Sequence, residues 1–116
     1  MNKAKFSIEE IIKAINPAEV QNSTNISELF TVSTDSRNLT KDDIFLALKG
    51  ENFDGADFVK NAFESGVRIF IVNKERKEEF KNLSAVFLYV EYTLKAYLNI
   101  ASFYRKNQKA KIVAIT

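Results

Sequence analysis

The chain has no cysteine and no histidine in 116 residues. Without them it can build no thiolate or imidazole metal site, no cysteine nucleophile, no disulfide and no Ser-His proton relay. Carboxylate-only Mg²⁺ or Ca²⁺ sites stay open in principle, but no dense Asp/Asn loop of suitable spacing is present. Long apolar runs are missing too: none approaches the roughly 18 residues needed to span a bilayer. Charge of one sign is equally scarce. Seventeen basic residues face fifteen acidic ones, a net +2, and the signs are interspersed, which leaves no basic stripe for nucleic acid.

What is there reads as one folded domain. At 46% hydrophobic and 28% charged residues the composition is that of a globular protein, and a chain of this length buries roughly two thirds of its unfolded surface without metal or disulfide. No repeat or low-complexity segment interrupts it. The polar start, Met1 to Phe6, runs straight into a helix signal, so the expectation is no signal peptide and a cytoplasmic location.

Ser7-Ile8-Glu9-Glu10 is a capping box. Ile8, Ile11, Ile12 and Ile15 follow at the spacing of one helical face, which Pro17 ends. A polar connector covers Asn22 to Glu28. Phe30 to Thr34 alternates as a half-buried strand does. After a turn-rich bridge from Asn38 to Asp43, Ile44 to Leu48 is apolar on both faces, the mark of a strand covered on both sides. Phe58, Val59, Ala62 and Phe63 predict a short helix closed by Gly66 at C′. Ile69 to Val72 is a strand, Lys74 to Lys81 a charged helical turn or loop, and Ala85 to Val90 another strand. Leu94, Tyr97, Leu98, Ala101 and Tyr104 keep helical spacing with Thr93 as a cap, and Ile112 to Ile115 reads as a final strand. Strands alternating with helices imply parallel pairing through right-handed crossovers. The expected fold is therefore α/β, a mixed, partly parallel sheet flanked by helices.

Two polar segments follow strands: Thr34-Asp35-Ser36-Arg37, and Lys49-Gly50-Glu51-Asn52-Phe53-Asp54-Gly55. Ligands of open α/β sheets sit at such strand ends. Asp, Ser, Asn and Gly are also ordinary turn residues. Asp54-Gly55 in particular reads as a turn, with Asp capping backbone and Gly supplying an unusual φ. Arg37 offers a planar fork and Lys49 a point charge for a diphosphate. Equally, Arg37 can pair with Asp35 or Asp54 and pin the two loops together, and Lys49 can be solvated.

The letters Ser-Thr-Asp-Ser-Arg, then Asp-x-Phe-x-Ala-Leu-Lys-Gly-Glu-x-x-Asp-Gly-x-Asp-Phe, resemble the amino-terminal domain of the Mur ligases of peptidoglycan synthesis. Ala47-Leu48-Lys49-Gly50-Glu51 tilts the likeness towards the branch that adds D-alanyl-D-alanine to UDP-N-acetylmuramoyl-tripeptide. The branch that adds the third amino acid shares Asp-Ser-Arg and Asp-Gly and stays open, as does a non-enzymatic protein-interaction domain. The resemblance implies that this domain holds the UDP end of the precursor through Thr34 and Ser36 on one loop and Glu51, Asn52 and Phe53 on the other. It departs at Ala56, where the family usually has His, and at Lys41-Asp42 in place of Pro-Gly. It also implies a boundary: residues 1–110 as the UDP-binding domain, and 111–116 as the first strand of a central domain whose glycine-rich loop binds ATP. In the parent ligase ATP phosphorylates the tripeptide carboxylate and D-alanyl-D-alanine attacks the acyl phosphate with Mg²⁺ assisting. This stretch alone then carries no catalytic residue, no metal and no cofactor, and its partners are the muramoyl-peptide and the later domains of its own chain.

Overall fold

A computed structural model describes residues 4–22 and 26–115, with side chains to 107. Met1 to Lys3, part of the Asn22 to Glu28 connector, and Thr116 lie outside the described residues. The elements run α1 Ile8–Ile15, β1 Glu19–Gln21, β2 Thr31–Ser33, β3 Asp43–Leu46, a 3₁₀ turn Gly55–Phe58, α2 Val59–Glu64, β4 Ile69–Asn73, a second 3₁₀ turn Lys74–Arg76, α3 Lys77–Phe80, β5 Val86–Val90 and α4 Thr93–Ile115. One sheet has the order β1-β5-β4-β3-β2. β2 to β5 are parallel and β1 is antiparallel to β5.

Local chemistry accounts for the helix ends. In α1 the Ser7 hydroxyl accepts from the Glu10 N–H at 3.1 Å while the Ser7 N–H donates to Glu10 Oε1 at 2.9 Å. Asn16 at φ 46° ends the helix one residue before Pro17, whose ring disfavours helical backbone at the preceding position. After α2, Gly66 adopts φ 107°. Its N–H donates to the Phe63 carbonyl and the Val67 N–H to that of Ala62, at 3.0 and 3.1 Å, the paired bonds of a Schellman cap.

Alternation of side chains across the sheet separates two cores. Ile44, Leu46, Ile69, Ile71, Val86, Leu88 and Val90 face α1 and α4. Phe45, Ala47, Phe70, Val72, Phe87 and Tyr89 face α2 and α3. On that second face the register sets Phe45 opposite Phe70 and Phe70 opposite Phe87. Phe45 meets Phe70 edge-on, and Phe70, Phe87 and Phe80 stack, with Phe70–Phe87 and Phe87–Phe80 centroids 5.0 and 5.4 Å apart. Tyr89 extends the stack. Burial, and secondarily the charges of Glu19 and Glu78, push its hydroxyl up to about 12, and it donates to Gln21 Oε1 at 2.8 Å.

Two features lie beyond the sequence reading, and one strand it expected is absent from the described residues. β1, three residues with two exposed, has too little apolar pattern to be read and is held by side-chain bonds instead: Gln21 Nε2 to the Phe80 carbonyl, and Asn22 Nδ2 to the carbonyls of Leu83 and Ala85. The buried face of α4 is Thr93, Ala96 and Ile100, while Leu94, Tyr97 and Leu98 are exposed. Finally, Ile112 to Ile115, expected as a strand within 111–116, continues α4. From Arg105 to Lys111 no Gly or Pro stops the helix, and helical backbone satisfies its own hydrogen bonds without a neighbouring strand.

Asn73, the last residue of β4, is 2% exposed, and neither Oδ1 nor Nδ2 has a hydrogen-bond partner within the protein. A buried unpaired amide costs roughly 1–3 kcal/mol. Asn73→Val, which removes both amide atoms and adds little volume, should therefore stabilise the fold by about 1 kcal/mol, read as a rise in the urea midpoint. A fall would show that the amide is satisfied in solution.

Candidate functional site at the carboxyl edge of the sheet

β2 and β3 are adjacent and parallel, with Ser33 opposite Phe45. The chain therefore leaves both at the same edge, and both polar segments emerge there. They are built differently.

The first is a self-contained turn. The Ser33 hydroxyl accepts from the Asp35 N–H at 3.2 Å, and Asp35 Oδ1 accepts from the Arg37 N–H at 2.9 Å, a side-chain mimic of a backbone turn. Arg37 then folds its fork onto Asp35, Nε to Oδ1 at 3.0 Å and Nη2 to Oδ2 at 2.9 Å. Of the two pairings the sequence left open, Arg37 takes the local one and does not pin the loops together. Its side chain is 83% exposed. Hydrogen bonding to Arg37, through its side chain and then its backbone, holds the Asp35 carboxyl at about 2. Thr34 and Ser36 are half-buried.

The second segment is anchored in the core. Lys49 and Asp54 form an antiparallel bridge, and the Gly50 N–H reaches the Phe53 carbonyl at 2.6 Å, so Glu51 and Asn52 are at an exposed tip. The Lys49 N–H donates to the hydroxyl of buried Thr93 at 3.0 Å. Thr93, expected as a cap, thus uses its oxygen on a tertiary contact. The Lys49 ammonium lies 3.9 Å from Glu75. Asp54 Oδ1 accepts from the Ala56 N–H at 2.9 Å, capping the 3₁₀ turn. Phe53, 53% exposed, stacks on Phe58 with centroids 6.2 Å apart.

Gly55 is needed for space rather than for φ. Gly66 is the positive-φ glycine among the described residues, whereas a Cβ on Gly55 would sit 3.0 Å from the backbone of Ala47 and Leu48. The neighbouring Ala56, where the resemblance noted from the sequence departs, is buried in the second core.

The N–H groups of Gly50, Gly55 and Ala56 all bond within the loop, and Ala56-Asp57 follow where a phosphate loop has Lys-Ser/Thr. This bend does not fit an ATP phosphate cradle. Among the described residues no cluster of three acidic, His or Cys side chains could hold a metal, and no helix is long and apolar enough to cross a membrane. A hollow of about 530 Å³ opens between the first loop and α4, lined by Ser33, Asp35, Asn38 and Tyr97 among others. A second, of about 510 Å³, lies between the ends of α1 and β5 and the start of α4. Ser36 and residues 49–55 line neither hollow.

The residue that sequence reasoning missed is Arg76. Its Nη1 lies 2.7 Å from Asp57 and 3.3 Å from Asp54, and its Nε and Nη2 meet Glu79 at 2.5 and 2.7 Å. One arginine in a charged run carries no signal of such convergence.

Fold and loops define an open α/β domain that presents two polar loops from neighbouring parallel strands. Comparison with known proteins makes this specific. A family profile described as "Mur ligase family, catalytic domain" matches residues 29–105. The chain is 40% identical over 96 residues, 80% of its length and 21% of the relative's, to the UDP-N-acetylmuramoyl-tripeptide--D-alanyl-D-alanine ligase of Synechocystis sp.. To the UDP-N-acetylmuramoyl-L-alanyl-D-glutamate--2,6-diaminopimelate ligase of Clostridium tetani it is 30% identical over 110 residues, 95% of this chain and 22% of that one. The crystal structure of MurF from Acinetobacter baumannii superposes with a TM-score of 0.77 at 24% identity, covering 92% of this chain and 22% of that one. The chain belongs to the Mur ligase family, as its amino-terminal domain. It spans about a fifth of the length of the curated relatives it matches.

Two outcomes follow from the loop geometry. Gly55→Ala should destabilise the domain by about 1–3 kcal/mol, read as a fall in the urea midpoint. An unchanged midpoint would mean the Ala47–Leu48 backbone gives way freely. In a carboxyl ¹³C titration Asp35 should show a midpoint of about 2 that moves up in Arg37→Ala. Because the folded-state value lies below the unfolded one, this pair's stabilisation is present above the ordinary carboxylate range and disappears as pH falls through about 2.

Proposed function

We propose that the domain binds the UDP end of a UDP-N-acetylmuramoyl-peptide on behalf of an ATP-dependent ligase of peptidoglycan synthesis, in the branch that adds D-alanyl-D-alanine. The observation that carries this reading is the parallel pairing of β2 with β3, which sends both polar loops off one edge of the sheet. Uracil has two carbonyl acceptors and one N–H donor, which the Asn52 amide, Glu51 and the exposed backbone of the bend can match. Phe53, already stacked on Phe58, covers a ring face. Thr34 and Ser36 serve the ribose and diphosphate as hydroxyl partners. Lys49 supplies a point charge, and Arg37, neutralised by Asp35, must exchange carboxylate for phosphate to take part. The role of the D-alanyl-D-alanine branch rests on Ala47 to Glu51 and on relatives at 40% and 36% identity that carry that name. ATP and Mg²⁺ would act in the remaining domains of a parent chain in the cytoplasm, which are also this domain's partners.

Titration of the 116-residue chain with uridine diphosphate, followed by ¹⁵N NMR, tests the reading. The expected shifts fall on residues 34–37 and 49–54, with a dissociation constant on the order of millimolar, about 4 kcal/mol. Phe53→Ala should weaken binding by about 1 kcal/mol, or roughly fivefold. Shifts lying wholly outside both loops would refute it.

A further inference from the structure

We infer that Arg76 is the positioning residue of the 49–55 loop, the group that holds Asp54, the 3₁₀ turn and its aromatic pair in the shape the ligand meets. This deepens the UDP reading and rests on it. Arg76 follows β4, and the loop follows β3, the adjacent strand, so the contact ties together two exits from the same edge of the sheet. The Arg76 and Asp54 side chains are 22% and 19% exposed, in contrast to 83% for Arg37. Partial burial is what separates an ion pair that fixes geometry from one dissolved in solvent.

The division of labour on each side is specific. Asp54 gives one oxygen to the Ala56 N–H and the other to Arg76, so the carboxylate that starts the 3₁₀ turn is itself oriented from outside the loop. Phe58 ends that turn and carries Phe53 on its face. On the other side, Glu79 grips the guanidinium through two parallel bonds and Asp57 through a third, which sets the plane of the fork before Asp54 is reached. The Phe80 ring lies beneath, 5.9 Å from the guanidinium carbon. Lysine cannot reproduce this, since an ammonium has no planar fork.

Arg76→Gln and Arg76→Lys in the 116-residue chain test the inference by two readouts. The first needs no ligand: amide hydrogen exchange at Gly55 and Ala56, normalised to the core amides of Phe70 and Phe87. Arg76→Gln should speed exchange at Gly55 and Ala56 at least tenfold beyond any change in the core, with Arg76→Lys intermediate. The second is the uridine diphosphate titration, in which Arg76→Gln should weaken binding at least fivefold and lose its shifts at 49–54 while keeping those at 34–37. Exchange that rises no more at the loop than in the core overturns the inference. So does a loosened loop that binds the nucleotide as the unaltered chain does. If the unaltered chain shows no shifts at either loop, the UDP reading falls and the ligand role of Arg76 falls with it. Should Arg76→Gln fail to fold, the same criteria apply to Arg76→Lys at threefold in each readout.

Discussion

The burial of β4 on both faces is the constraint on which the rest of the molecule depends. Every residue from Ile69 to Asn73 is buried, with β3 on one side and β5 on the other, both parallel. A strand in that position needs an apolar layer above and below it. α1 and α4 supply one, and α2, α3 and the phenylalanine stack supply the other. Parallel neighbours must be joined by crossovers, so successive strands point the same way and their exits gather on one edge. The position of the two loops is thus a consequence of how the core is filled.

Those loops differ in how they are held. The first closes on itself through Ser33, Asp35 and Arg37, residues within four positions of each other. Its ion pair faces solvent, where such pairs contribute little to stability. The second is tied to the strand exit that precedes it and to two distant parts of the chain. Gly55 packs against the Ala47–Leu48 backbone, Thr93 accepts from Lys49, and Arg76 holds Asp54. On the proposed reading, a nucleotide would meet one locally ordered lip and one supported by the core, with the Phe53–Phe58 pair on the supported side. Preorganisation of that kind reduces what binding must spend on ordering side chains.

Much of this was legible in the residues themselves. The α1 capping box, the stop before Pro17, the cap at Gly66 and the strands at β2 to β5 all follow from interactions a few residues apart or from apolar alternation. The alternative partners of Arg37 were also foreseen, but not which would win. Asp35 is two residues away and needs no tertiary structure to be reached. Legibility failed for β1, whose three residues carry no pattern, and for the apolar stripe of α4, where Leu94, Tyr97 and Leu98 keep helical spacing yet face outward.

By itself the sequence determined the α/β class, the family and the two segments that emerge at the strand ends, because periodicity, caps and motif letters are local properties. Only the tertiary structure decided that Thr93 serves Lys49, that Gly55 is required by contact rather than by dihedral, and that Arg76 gathers Asp54, Asp57 and Glu79. These depend on contacts between separate strand exits and helices, and such contacts exist only once the sheet order and register are set.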